Sequence, residues 1–295
     1  MSAPASRILC GTCAWADHER FYPKGLRPQA RLAYYARYFP VVEADAPYYH
    51  IPTPGVTARW VQQSPDGFVI DVKAHRTLTL HDRGQAGAGQ RAADFAAFLA
   101  ALRPLAEAGR LGAVLFQFPP WFVASDANRR YLDEVAERMA GHLLAVEFRH
   151  RSWWQDDHAP ETLDQLRRLG AVNVVCDEPQ VGQGTIPFVP DVTQPRLVVF
   201  RLHGRNDKTW YQKGLTSSQQ RFDYLYTREE LAAFLPHVRR WAEEASAVHI
   251  LMNNNQGDYA IRNALDWLDL LGFTVRENPL RREEPAEQLR LFDFD

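Results

Sequence analysis

The sequence is short of cysteine, of long apolar runs and of net charge, and each shortage closes off a class of function. Its 295 residues hold three cysteines, Cys10, Cys13 and Cys176, too few for a disulfide-stapled secreted scaffold. Cys10 and Cys13 form a C-x-x-C. A zinc site wants a second such pair, and a thioredoxin-like motif opens a helix after its strand. Cys13 instead lies inside or at the end of a strand-like run, ILCGTCAW, so both read as small core residues in a reducing compartment. No apolar run approaches membrane-spanning length, and MSAPASRILC has no apolar signal core. A cytoplasmic protein without a membrane partner is expected. The formal net charge is -2, so no global basic field draws the chain to nucleic acid or anionic lipid, although a local basic patch stays open. No Gly-rich phosphate turn follows the first strand-like run, and no H-x-H or H-E-x-x-H spacing calls for a metal.

What is present is alternation of elements. Hydrophobic residues make up 46% of the chain, enough for a substantial core. Eight strand-like runs are predicted at 8–15, 41–49, 68–76, 111–119, 143–150, 171–177, 196–205 and 247–255. Segments with apolar spacing of three and four lie between most of them and predict helices. Pro54, Asp126, Pro160 and the pair Thr227/Glu230, a capping box, mark helix starts. Gly109, Gly141, Gly170 and Gly272 stand where helices should stop. The link 178–195 lacks a clear helix, and the link 204–226 is long and aromatic. Eight strands, each but one followed by a helix, predict an α/β fold: a single (β/α)8 TIM-like barrel over residues 1–276, with a charged tail at 277–295. An open doubly wound sheet competes, but lacks its phosphate turn.

Side chains on a strand alternate between two faces. In LLAVEFRH (143–150), Leu144, Val146 and Phe148 share one face and suit the surrounding helices, so Glu147 and Arg149 must point into the barrel. The same split turns Glu43 and Asp45, Asp71, Lys73 and His75, Gln117, Asn173 and Asp177, Arg201 and His203, and Asn253 and Asn255 inward. A barrel lumen is normally filled by branched apolar residues, and burying unpaired charge is too costly to arise by accident. Two readings follow: a salt-bridge network that only plugs the barrel, or a ligand site. The charges gather toward strand C-termini, the face where barrel sites form, which favours the ligand.

The motifs VLFQFPPWF, EFRHRSWW, FRLHGRN and NNNQGDYAIRNALDWLDLL, with RWVQQSPDGFVIDVKAHRTLTLH upstream, resemble in order those of the domain-of-unknown-function 72 family, the YecE-like proteins, over roughly residues 8–275. That resemblance implies a TIM-like barrel and no established reaction. The family's second strand usually reads E-x-N-x-x-F-Y. Here Glu43 and Tyr49 match it, while Asp45 and Tyr48 replace Asn and Phe. The third usually resembles V-K-A-P-R. Here Lys73 and Arg76 match, and His75 replaces Pro.

Glu43 and Glu147 are the candidate acid–base pair, provided one pKa is raised by burial or by a like charge. Lys73, Arg149 and Arg201 suit an anionic ligand, with His75, Gln117, Asp177, His203, Asn253, Asn255 and Tyr49 around it. Trp15, Tyr48, Tyr49, Trp153 and Trp210 could stack on a sugar, or could pack the rim. The carboxylates and histidines could hold a divalent metal, but the neighbouring Arg and Lys would repel a cation; no metal or cofactor is assigned. The expected ligand is a polar or anionic small molecule or nucleotide. In the tail, Gln288, Leu291 and Phe292 belong to QLRLF, which resembles the Q-L-x-L-F peptide that docks bacterial proteins on the replicative sliding clamp. A self-packed tail matching a short pattern by chance is the alternative.

Overall fold

Strongly β-branched and aromatic runs form the strands, and all eight close on themselves. The computed structural model describes residues 7–212, 214, 218–273 and 279–280. The strands are β1 (Arg7–Cys13), β2 (Val41–Ala44), β3 (Val69–Lys73), β4 (Leu111–Gln117), β5 (Leu143–Glu147), β6 (Val172–Asp177), β7 (Val198–Leu202) and β8 (Ala247–Met252). Each pairs parallel with its sequence neighbours, and β8 closes on β1. The expected (β/α)8 barrel is the observed architecture. The tail residues Gln288, Leu291 and Phe292, and the expected boundary at residue 276, lie outside the described residues.

Helices α1 (Arg31–Tyr35), α2 (Ala46–Tyr49), α3 (Pro54–Gln63), α4 (Ala88–Glu107), α5 (Asp126–Arg138) and α6 (His158–Leu169) occupy the connections after β1 to β5. Helices α7 (Arg228–Ala232) and α8 (Leu235–Glu244) precede β8, and α9 (Tyr259–Leu270) follows it. Thr227 and Glu230 form the expected capping box, and Gly170 ends α6 with φ 64°. The helix signal over 227–245 splits in two. Pro236 has no N–H to give to the preceding turn, so the chain turns at Ala233–Phe234 and restarts with the proline in the first turn of α8. No helix fills the connection from β6 to β7 among the described residues.

Outward-facing aromatics follow the alternation along β4, β5 and β7. Phe116 stacks on Phe95 of α4, Phe148 on Trp153, and Phe200 lies against Trp241 of α8. All eight strands are shorter than expected, and two of the endings bear on the site. The second ends at Ala44, because Pro47 sits in the first turn of α2 and cannot serve a sheet ladder. The third ends at Lys73, after which the His75 carbonyl accepts from the N–H groups of Leu78 and Thr79 in a turn.

Candidate functional site

Strand register builds one layer of the lumen from residues that a barrel rarely carries there. Cys13 stands beside Glu43, Gln117 beside Glu147, and Cys176 beside Arg201. Glu43, Glu147, Arg201 and His203 are all fully buried. The Arg201 guanidinium lies across the centre. Its Nη2 donates to Glu43 Oε1 at 2.7 Å and approaches Cys13 Sγ at 3.4 Å, while Nη1 pairs with Glu147 Oε2. Glu147 Oε1 takes three more donors: Gln117 Nε2 at 2.6 Å, His203 Nε2 at 3.1 Å and Arg149 Nη1 at 3.2 Å. Asn253 Nδ2 donates to His203 Nδ1 at 2.7 Å. That fixes the His203 proton on Nε2, where it meets Glu147.

The two glutamates are driven apart electrostatically. Burial alone would raise Glu147, but Arg201, His203 and Arg149 outweigh it and hold the carboxyl well below its ordinary range. Glu43 goes the other way: burial, against the pull of Arg201 and with the charge of Asp45 beside it, pushes it up to about 8. Its Oε2 has no hydrogen-bond partner among the described residues, and the neighbouring Asp45 carboxyl favours the protonated form of Glu43. Burial would also raise Asp45. Lys73 and Arg201 together hold it down, so the proton resides on Glu43. Burial keeps His203 neutral, lowering it to about 3.

Above this layer the mouth is lined by Lys73, Arg149, Gln117 and the rim aromatics. Lys73 Nζ is 3.5 Å from Asp45 Oδ1 and lies over the Tyr48 ring. Arg149 stacks on Trp210 at 5.1 Å and stands 2.8 Å from Glu178 Oε2, an ion pair too bent for a hydrogen bond. Burial pushes Glu178 up to about 7 despite Arg149. Lys73, Arg149 and Arg201 thus face two firmly ionised carboxylates, Asp45 and Glu147, with Glu43 and Glu178 easily protonated.

The structure gathers Glu43, Glu147, Lys73, Gln117, Arg149, Arg201, His203 and Asn253 as expected from alternation, and buries Asn255 with its Oδ1 unpartnered. Three candidates stand elsewhere. Asp177 faces outward, gripped by Arg205 Nε at 2.8 Å and the Tyr226 hydroxyl at 2.6 Å. His75 has left the strand and bonds Thr77 Oγ1, which in turn bonds Asp94 of α4. Tyr49 is 70% exposed, and it is Tyr48 that faces Lys73. Sixth-strand parity is the reverse of the expectation. Asn173 points outward and donates to the Val189 carbonyl at 3.0 Å in the helix-free link. Cys176 and Glu178 therefore turn inward. Glu178 was missed for that reason, and His81 because it sits in a turn. Its Nδ1 bonds Thr79 Oγ1 at 2.8 Å, and burial with Lys73 and Arg149 lowers it to about 4. Trp153 packs wholly in the core, so it stacks on no ligand.

Ligand atoms of Glu147, Cys176 and His203 lie within 4.8 Å of one another, close enough for one cation. The donors do not suit one. Both His203 nitrogens and Glu147 Oε1 are engaged, burial holds the Cys176 thiol protonated, and two guanidiniums adjoin. Nor do Cys10 and Cys13 cooperate: Cys10 turns outward to the Ala264 carbonyl and Cys13 inward to Arg201.

Fold and lumen together define a TIM-barrel protein whose C-terminal mouth is a charged, aromatic-rimmed cup. The chain belongs to the family described as "Protein of unknown function DUF72", whose model matches residues 9–289. It is 35% identical over 266 residues to UPF0759 protein YunF of Bacillus subtilis (strain 168), covering 90% of this chain and 94% of that one. UPF0759 protein YecE of Escherichia coli (strain K12) is 28% identical over 173 residues, 58% of this chain and 59% of its own. Among solved structures, a DUF72 family protein from Enterococcus faecalis V583 superposes with TM-score 0.84 at 30% identity, covering 91% of this chain and 96% of its own. Another from Thermotoga maritima MSB8 gives 0.77 at 32%, covering 90% and 99%. No helix among the described residues is long and apolar enough to cross a membrane.

Proposed function

We propose that the cup binds a polar, anionic small molecule or nucleotide and performs acid–base hydrolysis or elimination on it. The observation that carries this reading is the pair of buried carboxyls joined through Arg201, one holding its proton and the other ionised. Groups with separated pKa values are how one site supplies an acid at neutral pH. Glu43 is the proton donor, resupplied through Asp45. Glu147, held ionised by its four donors, anchors Arg201, Arg149 and His203 and is the candidate base. Lys73 and Arg149, each only slightly exposed at the mouth, hold the anion, and Trp210 and Tyr48 flank it. Three free, buried thiols fit a reducing compartment and support a cytoplasmic location.

The test begins with native mass spectrometry of freshly purified protein and of protein incubated with a metabolite extract, to identify a retained anion. Glu43→Gln should keep that ligand and lower turnover by about 10²–10⁴-fold, the usual worth of a general acid. Turnover equal to wild type in Glu43→Gln would remove the acid assignment.

A second reading rests on the tail. Gln288, Leu291 and Phe292 in QLRLF suit a peptide laid into an apolar groove of the bacterial sliding clamp, with Gln288 setting register. The protein would then be a DNA-associated accessory factor. Calorimetry with purified clamp should show binding that disappears on deleting residues 288–292; silence with the full chain rejects it.

A further inference from the structure

We propose that the opposite, N-terminal end of the barrel is a second binding site, for a small oxyanion of the phosphate class. That end of a barrel ordinarily serves stability and is packed shut. Here a cavity of about 320 Å³ opens beneath the first residues of the strands, lined in part by Arg7, Gly112, His142, Arg196 and His249. His249 on its lining is paired with the buried Asp71 behind it. Asp71 Oδ1 accepts from the Ala113 N–H at 2.6 Å, and Oδ2 accepts from His249 Nδ1 at 2.8 Å. Gly112 makes room for it: a Cβ there would meet Asp71 Oδ1 at 2.1 Å and His249 Cε1 at 3.2 Å.

His249 is almost wholly buried, yet its Nε2 has no protein partner among the described residues and is left to the cavity. Among the described residues no carboxylate lines the cavity, and Asp71, behind His249, is committed to that imidazole and to a backbone N–H. Two guanidiniums, Arg7 and Arg196, bring positive charge to the lining, and a second imidazole, His142, lies beside them. A protonated His249 would present its Nε2–H to the anion while its Nδ1–H stays on Asp71. The site is separated from the cup by the buried layer of Glu43, Glu147 and Arg201, so it stands or falls apart from the proposed chemistry.

The experiment is a titration of the ¹⁵N-labelled full chain with inorganic phosphate, following histidine ring resonances by NMR. The His249 signals should move saturably as phosphate is added. Arg196→Gln and Arg7→Gln, both at exposed positions that the fold does not need, should each weaken the effect about five- to tenfold, the worth of a charge-assisted hydrogen bond. Arg149→Gln, in the cup, should leave it unchanged. His249 signals that do not move, or an affinity unaltered in both Arg196→Gln and Arg7→Gln, overturn the site. Phosphate binding lost only in Arg149→Gln would place the anion in the cup and likewise overturn it.

Discussion

Arg201 is the residue on which the lumen depends, because it is the charge that two buried carboxyls share. Desolvating an isolated guanidinium or carboxylate costs more than a domain's whole stability, so the network exists only while its members remain paired. Removing one partner leaves the others buried and uncompensated. Arg201→Met should therefore lower unfolding free energy by about 3–5 kcal/mol, read from urea denaturation. Arg201→Lys should recover little, since one ammonium cannot reproduce the forked contact to Glu43 and Glu147. Glu43→Gln should be mild by comparison, because Glu43 is already neutral and Gln keeps an oxygen for Arg201. A loss in Glu43→Gln as large as in Arg201→Met would mean that Glu43 is ionised and that the proton assignment is wrong.

At the scale of elements, what the sequence made legible was the parity of a strand whose two faces differ cleanly. In β5 and β7 the outward set is apolar throughout, and the inward set followed without ambiguity: Glu147 and Arg149 on one, Arg201 and His203 on the other. β6 misleads because its inward set, Val172, Val174 and Cys176, is apolar, while its outward set carries Asn173 and Asp177. Its outward Asn173 is satisfied by backbone carbonyls of a link that has no helix, a partner that no pattern within the strand announces. That single reversal accounts for both Asp177 and Glu178. His75 and Tyr49 failed differently, since alternation was carried past the real ends of β3 and β2. His249, by contrast, shares the parity of Asn253 and is readable from it, but it lies near the N-terminal end of β8, away from the face where barrel sites form. Gly112 is a test at this scale. A methyl group there would also meet Val69 Cγ1 at 2.7 Å, so Gly112→Ala must push β3 or the Asp71–His249 pair aside. We expect a loss of about 1–3 kcal/mol, the usual cost of overpacking, and a thermal midpoint equal to wild type would show that the lower lumen is loosely filled.

The whole molecule should respond to pH through groups that fold in one protonation state. Burial lowers His203 to about 3, and His18 and His81 each to about 4, against about 6.5 in an unfolded chain. Between those values the unfolded state binds protons that the folded state refuses, so stability falls as pH drops from about 6.5 toward 4. Glu147, held well below its ordinary range, adds to the loss at the acid end, since the unfolded carboxyl takes its proton first. Glu43 and Glu178 act in the opposite sense. Their folded values of about 8 and about 7 lie above the unfolded one, so the stability they contribute is complete below about 4.5 and is lost as pH rises through 7 to 8. Below about 4.5 the two glutamates no longer vary, and the imidazoles together with Glu147 set the slope. Between about 4.5 and 6.5 the two sets pull against each other, and above that the glutamates alone act, so stability should decline from pH 6.5 to 8. Urea midpoints measured from pH 4 to 9 test this, and Glu43→Gln should flatten the alkaline decline while leaving the acid limb in place. An alkaline limb as steep in Glu43→Gln as in wild type would show that the proton in the cup is not held by Glu43, and the proposed acid would go with it.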